Sequence, residues 1–411
     1  MIFEAGLADK IAHFEVRLDR LEQAAEFVAE TIRLNYPALK VPFHSRWRHF
    51  VIEGQDRWSR AADDVSIPPR SAARARARFE LAITSVLLDA GAGPAWRWAE
   101  PVAGAAGGAA WRHVGRSEGL ALASFNAWER GYFSSTLDEP RRVDAEGLRT
   151  LSVDELSKAF LVSADNPLDG LEGRAALLNR LGDAISARPD LFGAEGRLGG
   201  LFDELAARAE ASPPTNSSPQ GEGEKRASRL AAPEILRLLL EALGPIWPGR
   251  ISLDGVNLGD TWRHPAVVMP GPANGLVPFH KLSQWLSYSL IEPVQEAGIE
   301  VVDVDGLTGL AEYRNGGLFV DLGVIEPRSA SLLAGEHHPG DEPIVEWRAL
   351  TVVLLDRIAP LVRAKLGVSA EAMPLASVLE GGTWSAGRRI AKLKRPDGGP
   401  PLRIISDGSV F

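Results

Sequence analysis

The residues best equipped for chemistry in this chain are Lys281, Gln284, Trp285 and Tyr288, all within the stretch FHKLSQWLSYSL that begins at Phe279. At 100° per residue they share one helical face, while Leu282, Leu286 and Leu290 lie away from it. Two readings of this face are open. In one, Trp285 and Tyr288 are core, and Lys281 carries its charge out to water on its aliphatic stem. In the other, the aromatics wall a small-molecule pocket and Lys281 supplies a fixed positive charge or a proton. A second group follows in LAEYRNGG: Glu312, Tyr313, Arg314 and Asn315. A carboxylate beside an arginine is most often a structural ion pair. In the pocket reading, Glu312 is the carboxylate that completes the site. Gly316 and Gly317 are expected to permit a turn or close packing rather than to bind phosphate.

Two further clusters carry polar and aromatic residues. FHSRWRHFVIEGQDRW holds His44, Arg46, Trp47 and Arg48, with Asp56 and Arg57 as candidates for holding the loop in place. DGVNLGDTWRHP is turn-like and holds Asp260, Trp262, Arg263 and His264. The run EHHPGDE could suggest a metal, but adjacent His337 and His338 point different ways in most backbones and lack the i,i+4 spacing of a helical zinc site. The expectation is therefore no metal and no cofactor.

The elements that must position these groups read as helices. Leu18, Leu21, Ala25, Val28 and Ile32 form one apolar face, ended by Pro37. A second helix is expected over 71–90, with Gly91 as its stop and a basic RARARF face turned to solvent. A third begins at a Ser117 cap, SVDE at 152–155 is a capping box, and PEILRLLLEALG carries Pro233 in its first turn and Gly244 at its end. Glu346 and Arg348 read as a structural pair on one helix. PVAGAAGGAA, at 101–110, reads as loop or small-residue packing. PLRIIS near the C-terminus is a short strand signal. The fold class expected is mainly α, a compact multi-helix protein with few strands. Its parts are 1–210, a Pro/Ser/Gly-rich linker or insertion at 211–228 read as a mobile loop, and 229–411, which carries the main site motifs. They are read together as one unit.

Composition narrows the class. The chain has 411 residues, 45% of them hydrophobic and 24% charged, as in ordinary globular proteins. No run approaches the roughly 18 apolar residues of a membrane span, and the N-terminus lacks a signal-peptide pattern, so a cytoplasmic protein is expected. The absence of cysteine excludes disulfides, thiolate nucleophiles and zinc–cysteine sites. A net charge of −9 argues against nucleic acid as the ligand.

The blocks FHSRWRHF, GDTWRHP, GLVPFHKLSQWLSYSLIEP and LTGLAEYRNGGLFVDLGVI, in that order, resemble the signature blocks of the Urc4/Urg3 uracil-catabolism family. The resemblance runs from Val41 to EGGTWSAGR near the C-terminus. It implies a uracil-degradation route in which a pyrimidine nucleotide is opened and urea is released, with ribosylurea as a proposed intermediate. A more distant resemblance is to the queuosine-salvage N-glycohydrolases, which have an F-x-K-x-x-Q block followed by T-M-F-A-D-Y-R-V-P-Q and L-G-V-L. Here Phe279, Lys281 and Gln284 match the first block, and TGLAEYRNGG and LGVI match the second at a similar interval. VEWRALTV is similar to that family's V-E-I-R helix. Glu312 stands where that family has Asp, which sets the carboxylate one methylene farther out, and Asn-Gly-Gly replaces Val-Pro-Gln. Those enzymes are similar in fold to helical DNA glycosylases, so the resemblance implies a helical-glycosylase-like architecture.

The resemblance implies cleavage of an N-riboside through an oxocarbenium-like sugar. Glu312 would stabilise that charge and orient or deprotonate water. Lys281 would protonate the leaving group or anchor a phosphate. Trp285 and Tyr288 would exclude water, and Arg46, Arg48 or Arg314 could hold a 5′-phosphate. His44, Trp47, Asp260, Trp262, Phe279, Gln284 and Tyr313 complete the expected binding set. The ligand expected is a nucleoside- or nucleotide-derived small molecule, with neither nucleic acid nor membrane as partner. Competing functions are a metal-dependent amidohydrolase or deaminase of the same pathway and a non-enzymatic binding protein. An exposed Glu312 would favour the last.

Overall fold

The computed structural model describes residues 1–64, 68–101, 111–211 and 228–405. The readings of 101–110 and 211–228 fall almost wholly outside the described residues. Helices hold 55% of the described residues. Strands among the described residues are two to four residues long and pair only two by two, so no sheet can act as a layer and the core is helix on helix. This is the mainly α class expected. No helix among the described residues is long and apolar enough to cross a membrane.

The chain divides into two units. One comprises 1–44, 247–288 and 304–411; the other comprises 45–246 and 289–303. Both draw on chain from either side of 211–228.

In the first unit, helix Leu21–Asn35 buries Leu21, Ala25, Val28 and Ile32, the face its periodicity predicts. Leu18 sits ahead of it in a 3-10 turn and is only half-buried. Its neighbour is the long helix Glu342–Leu366, which ends on Gly367 in the left-handed region at φ +69°. Helix Tyr313–Asp321 packs against both that long helix and Ser385–Lys394. Gly316 makes the first of these contacts possible: a Cβ there would lie 2.7 Å from the Trp347 ring and 2.9 Å from Thr351 Oγ1. The glycine pair serves close packing, as read from the sequence. In an exposed helix, Gly→Ala gains about 1 kcal/mol. Here Trp347 is fully buried and cannot yield, and overpacking costs about 1–3 kcal/mol. Gly316→Ala is therefore expected to destabilise by about 1–2 kcal/mol in chemical denaturation. A stabilised variant would show that Trp347 has room to move.

In the second unit, helix Ala72–Leu87 opens on Ser71, whose hydroxyl accepts from Arg74 N at 3.2 Å. The basic face of this helix is not a solvated one. Arg74 pairs with Glu296 at 2.7 Å, Arg76 with Asp203 at 2.8 Å, and Arg78 is buried against Glu296 and the Trp47 ring. Carboxylates remote in sequence turned the face inward. Helix Arg116–Glu129 starts one residue before Ser117, which does not cap it. The Ser117 hydroxyl donates to Asp89 at 2.6 Å instead. The Ser152–Glu155 capping box is present, and Pro233 and Gly244 bracket helix Ala232–Leu243 as expected.

Candidate functional site

The candidate residues of the first unit are positioned by two helix starts and one π-helical turn. The first start is that of helix Lys281–Glu296. Strands Thr261–Arg263 and Leu276–Pro278 pair antiparallel, which brings Asp260 to the head of this helix. There the Asp260 carbonyl accepts from Phe279 N, and its Oδ2 accepts from Lys281 N at 3.0 Å. Trp262 Nε1 donates to Oδ1 at 2.7 Å. Arg348, from the long helix, grips both oxygens in a fork at 2.8 and 2.7 Å. Burial alone would raise the Asp260 pKa, but the Arg348 charge and hydrogen bonds, with those of the Lys281 amide and the Trp262 indole, hold it at about 2. Asp260 is thus a buried helix cap and ion-pair partner. Arg348 pairs with Asp260 and not with Glu346, which corrects the pairing read from sequence. The guanidinium also lies over the Phe279 ring at 4.1 Å, and its Nε donates to Ala311 O at 3.2 Å.

That last bond leads to the second helix start. Glu312 is the N-cap of Tyr313–Asp321, and its carboxylate accepts from Arg314 N at 2.7 Å and Asn315 N at 2.6 Å. Two amides at the positive end of a helix therefore aim a side chain that is only 7% exposed. Asn315 is fully buried, and its Oδ1 accepts from Thr383 Oγ1 at 2.8 Å.

Thr383 belongs to a π-helical segment, Val378–Trp384. Such segments occur often at functional sites, because the wider turn re-aims side chains. Glu380, in the same segment, meets His44 Nδ1 at 2.6 Å, and both are buried. The His44 backbone N–H donates to Ala376 O at 2.9 Å. The His44 ring stacks on Trp285 at 6.0 Å, with Trp384 at 5.3 Å. Lys281 Nζ stands 5.4 Å from the Trp285 ring centre and Arg388 4.8 Å from that of Trp384, so cations flank the aromatic stack.

The shared stripe on helix Lys281–Glu296 is real but serves several purposes. Trp285 faces His44, whereas Gln284 Oε1 accepts from Thr308 N at 3.1 Å and the Tyr288 hydroxyl donates to Thr308 O at 3.0 Å. Gln284 and Tyr288 thereby clamp the segment that leads into Glu312. Burial pushes the Tyr288 phenol far above its ordinary pKa. Leu282, Leu286 and Leu290 are buried as well, so apolar surroundings cover both faces. Arg314 donates to Gly398 O at 2.8 Å and lies over the Tyr313 ring.

Arg46 and Trp47 belong to the second unit. Arg46 is fully buried, donating to Ser85 at 2.7 Å and paired with Asp89 at 3.2 Å; burial lowers its pKa. Trp47 donates to Ser289 O at 2.7 Å. Arg48 pairs with Glu292 at 2.7 Å, Asp56 accepts from Trp58 N at 2.9 Å, and Arg57 pairs with Glu100 at 2.7 Å. This unit also has clefts of about 440 and 260 Å³, lined by residues such as Tyr132 and Glu155 in the first and Arg60 and Asn126 in the second. Arg57 lines the second, and neither holds a residue of the expected catalytic or substrate-binding set.

Side chains that could share a cation are His13, Glu342 and Glu346, whose ligand atoms lie within 4.8 Å of one another. The fully buried Glu346 carboxylate already accepts from Ala12 N, His13 N and His264 Nε2 at 3.1, 3.0 and 3.2 Å. His337 and His338 do not join them; His337 Nε2 bonds Leu332 O at 2.8 Å.

Sequence reasoning missed Glu380, Thr383, Trp384, Arg388 and the bridging role of Arg348. The available signal was EGGTW, where paired glycines beside a glutamate interrupt a helical stretch. Gly381 and Gly382 abut Tyr36, Val28 and Ile32, which lets the π-turn sit on helix Leu21–Asn35.

Comparison with known proteins fits these blocks. The chain is 39% identical over 406 residues to Protein urg3 of Schizosaccharomyces pombe, covering 95% of this chain and 90% of that protein. It is 35% identical over 432 residues to Uracil catabolism protein 4 of Lachancea kluyveri, covering 97% and 92%. All of residues 1–411 match the family described as "Protein of unknown function (DUF1688)". The chain therefore belongs to the DUF1688 family, the Urc4/Urg3 family that its sequence blocks resemble.

Proposed function

We propose that this chain acts in uracil catabolism as a cofactor-independent N-ribosyl hydrolase. Its substrate would be ribosylurea, the 5′-phosphate of ribosylurea, or a related opened pyrimidine nucleotide. The observation that carries the reading is the placement of Glu312. Two amides orient its carboxylate, and Asn315 and Thr383 tie it to the π-turn that also holds His44 through Glu380. A pre-oriented, nearly buried carboxylate is what an oxocarbenium-like sugar requires. Its burial also speaks against a purely non-enzymatic binder. In this reading Lys281, set by Asp260 at the head of its helix, anchors the anionic end of the substrate, and Trp285 walls the planar group. The name of one relative, Uracil catabolism protein 4, supplies the pathway, and the resemblance to queuosine-salvage glycohydrolases supplies the bond.

The test is mass spectrometry of EDTA-treated protein incubated with ribosylurea and with its 5′-phosphate. Release of urea with ribose or ribose 5-phosphate is the expected result. His13, Glu342 and Glu346 give a second reading its footing: a metal-dependent amidohydrolase of the same pathway. Activity that appears only when zinc or manganese is restored would move the assignment there.

A further inference from the structure

We infer that His44, held by Glu380, is the proton donor to the departing nitrogen, an inference that rests on the ribohydrolase reading above. A carboxylate can only accept, so Glu380 takes the Nδ1–H of His44 at 2.6 Å and fixes which ring nitrogen remains for chemistry. The remaining nitrogen is Nε2. Among the described residues it makes no hydrogen bond, yet it is not one of the side-chain atoms sealed from solvent, although His44 as a whole is only 4% exposed. A ring that is buried, anchored at one nitrogen and accessible at the other is the arrangement of an oriented general acid.

The surroundings agree. Trp285 and Trp384 fix the plane of the imidazole. The backbone of His44 is pinned to Ala376 O, and Ser377 Oγ donates to Val41 O at 3.0 Å, so both strands of chain that meet here are held. Glu380 and Thr383 lie on one π-turn, which holds His44 directly and, through the Asn315 side chain, the helix start whose amides orient Glu312.

The step balances as follows. His44 enters the step as the imidazolium, its Nδ1–H held by Glu380. The C1′–N bond breaks heterolytically, its electron pair goes to the urea nitrogen, and that nitrogen takes the proton from His44 Nε2, leaving the neutral Nδ1–H ring. Water adds its oxygen to C1′ and gives a proton to Glu312. The sum is riboside plus water giving ribose and urea, and the Glu312 proton returns to His44 through solvent.

The experiment compares two substrates of different leaving-group ability, ribosylurea and 4-nitrophenyl riboside, with wild type, His44→Gln, Glu380→Gln and Glu312→Gln. Urea is a poor leaving group and needs the proton; nitrophenolate does not. His44→Gln is expected to lose about 10²–10³-fold in kcat on ribosylurea and less than about fivefold on the nitrophenyl substrate. Glu380→Gln, which preserves shape, should show a smaller loss of the same selectivity. Glu312→Gln should lose both. Equal losses of His44→Gln on both substrates, or none on either, would overturn the proton-donor role while leaving the ribohydrolase reading intact. A wild-type protein that cleaves neither substrate, nor the 5′-phosphate of either, overturns that reading, and this assignment with it.

Discussion

Glu312→Gln is expected to lower kcat on ribosylurea by about 10³-fold while leaving the protein folded. The substitution keeps the side chain's size and one acceptor oxygen, so one of the two amides at the head of Tyr313–Asp321 stays bonded. The other amide, on Arg314 or Asn315, then faces an NH₂ group. Loss of that cap bond costs about 1 kcal/mol. In the proposed reaction the substitution also removes the negative charge that Glu312 would place beside the reacting carbon. Catalysis and stability therefore separate, and this separation makes the variant informative. A Glu312→Gln protein that keeps more than about a tenth of wild-type kcat would reduce Glu312 to a helix cap.

The largest effect on stability is expected at Arg348. Arg348→Met removes the fork that neutralises Asp260, leaving a buried carboxylate without its cation, at a cost of about 3–5 kcal/mol. It also releases Ala311 O, next to Glu312. The double variant Asp260→Asn, Arg348→Met should recover much of that loss, because both charges then leave together while the amide oxygen still accepts one of the bonds from the Lys281 amide and the Trp262 indole. Denaturant titration of the four proteins checks this, and purely additive losses would refute the coupling. Acid adds an independent check. The folded pKa of Asp260, about 2, lies below its unfolded value of about 3.9, so the pair's stabilisation is complete above that value. It then fades as pH falls through about 2. Of the wild-type stability, about 2–3 kcal/mol should vanish over that window and be absent from the double variant.

The same residues show how far a linear reading reaches. Helix Leu21–Asn35, the Ser152–Glu155 box and the Pro233 and Gly244 boundaries were legible, because each depends on side chains three or four apart or on a residue's own backbone preference. The basic run at 74–78 misled for the opposite reason. Alternating arginines look solvated until Glu296 and Asp203 arrive from elsewhere in the chain.

In the candidate site, sequence alone determined the chemical inventory: Lys281, Gln284, Trp285 and Tyr288 on one helical face, and Glu312 beside an arginine and ahead of a glycine pair. The shared face follows from helical periodicity, which acts over a few residues, whereas the helix that Glu312 caps emerged only in the structure. Only the tertiary structure decided what each group meets. It placed Glu380 against His44 across 336 positions and Arg348 against Asp260 across 88, and it left Arg46 and Trp47 in the other unit. Hydrogen bonds and ion pairs act over a few ångströms of space with no regard for separation along the chain, and packing of the helices sets those distances.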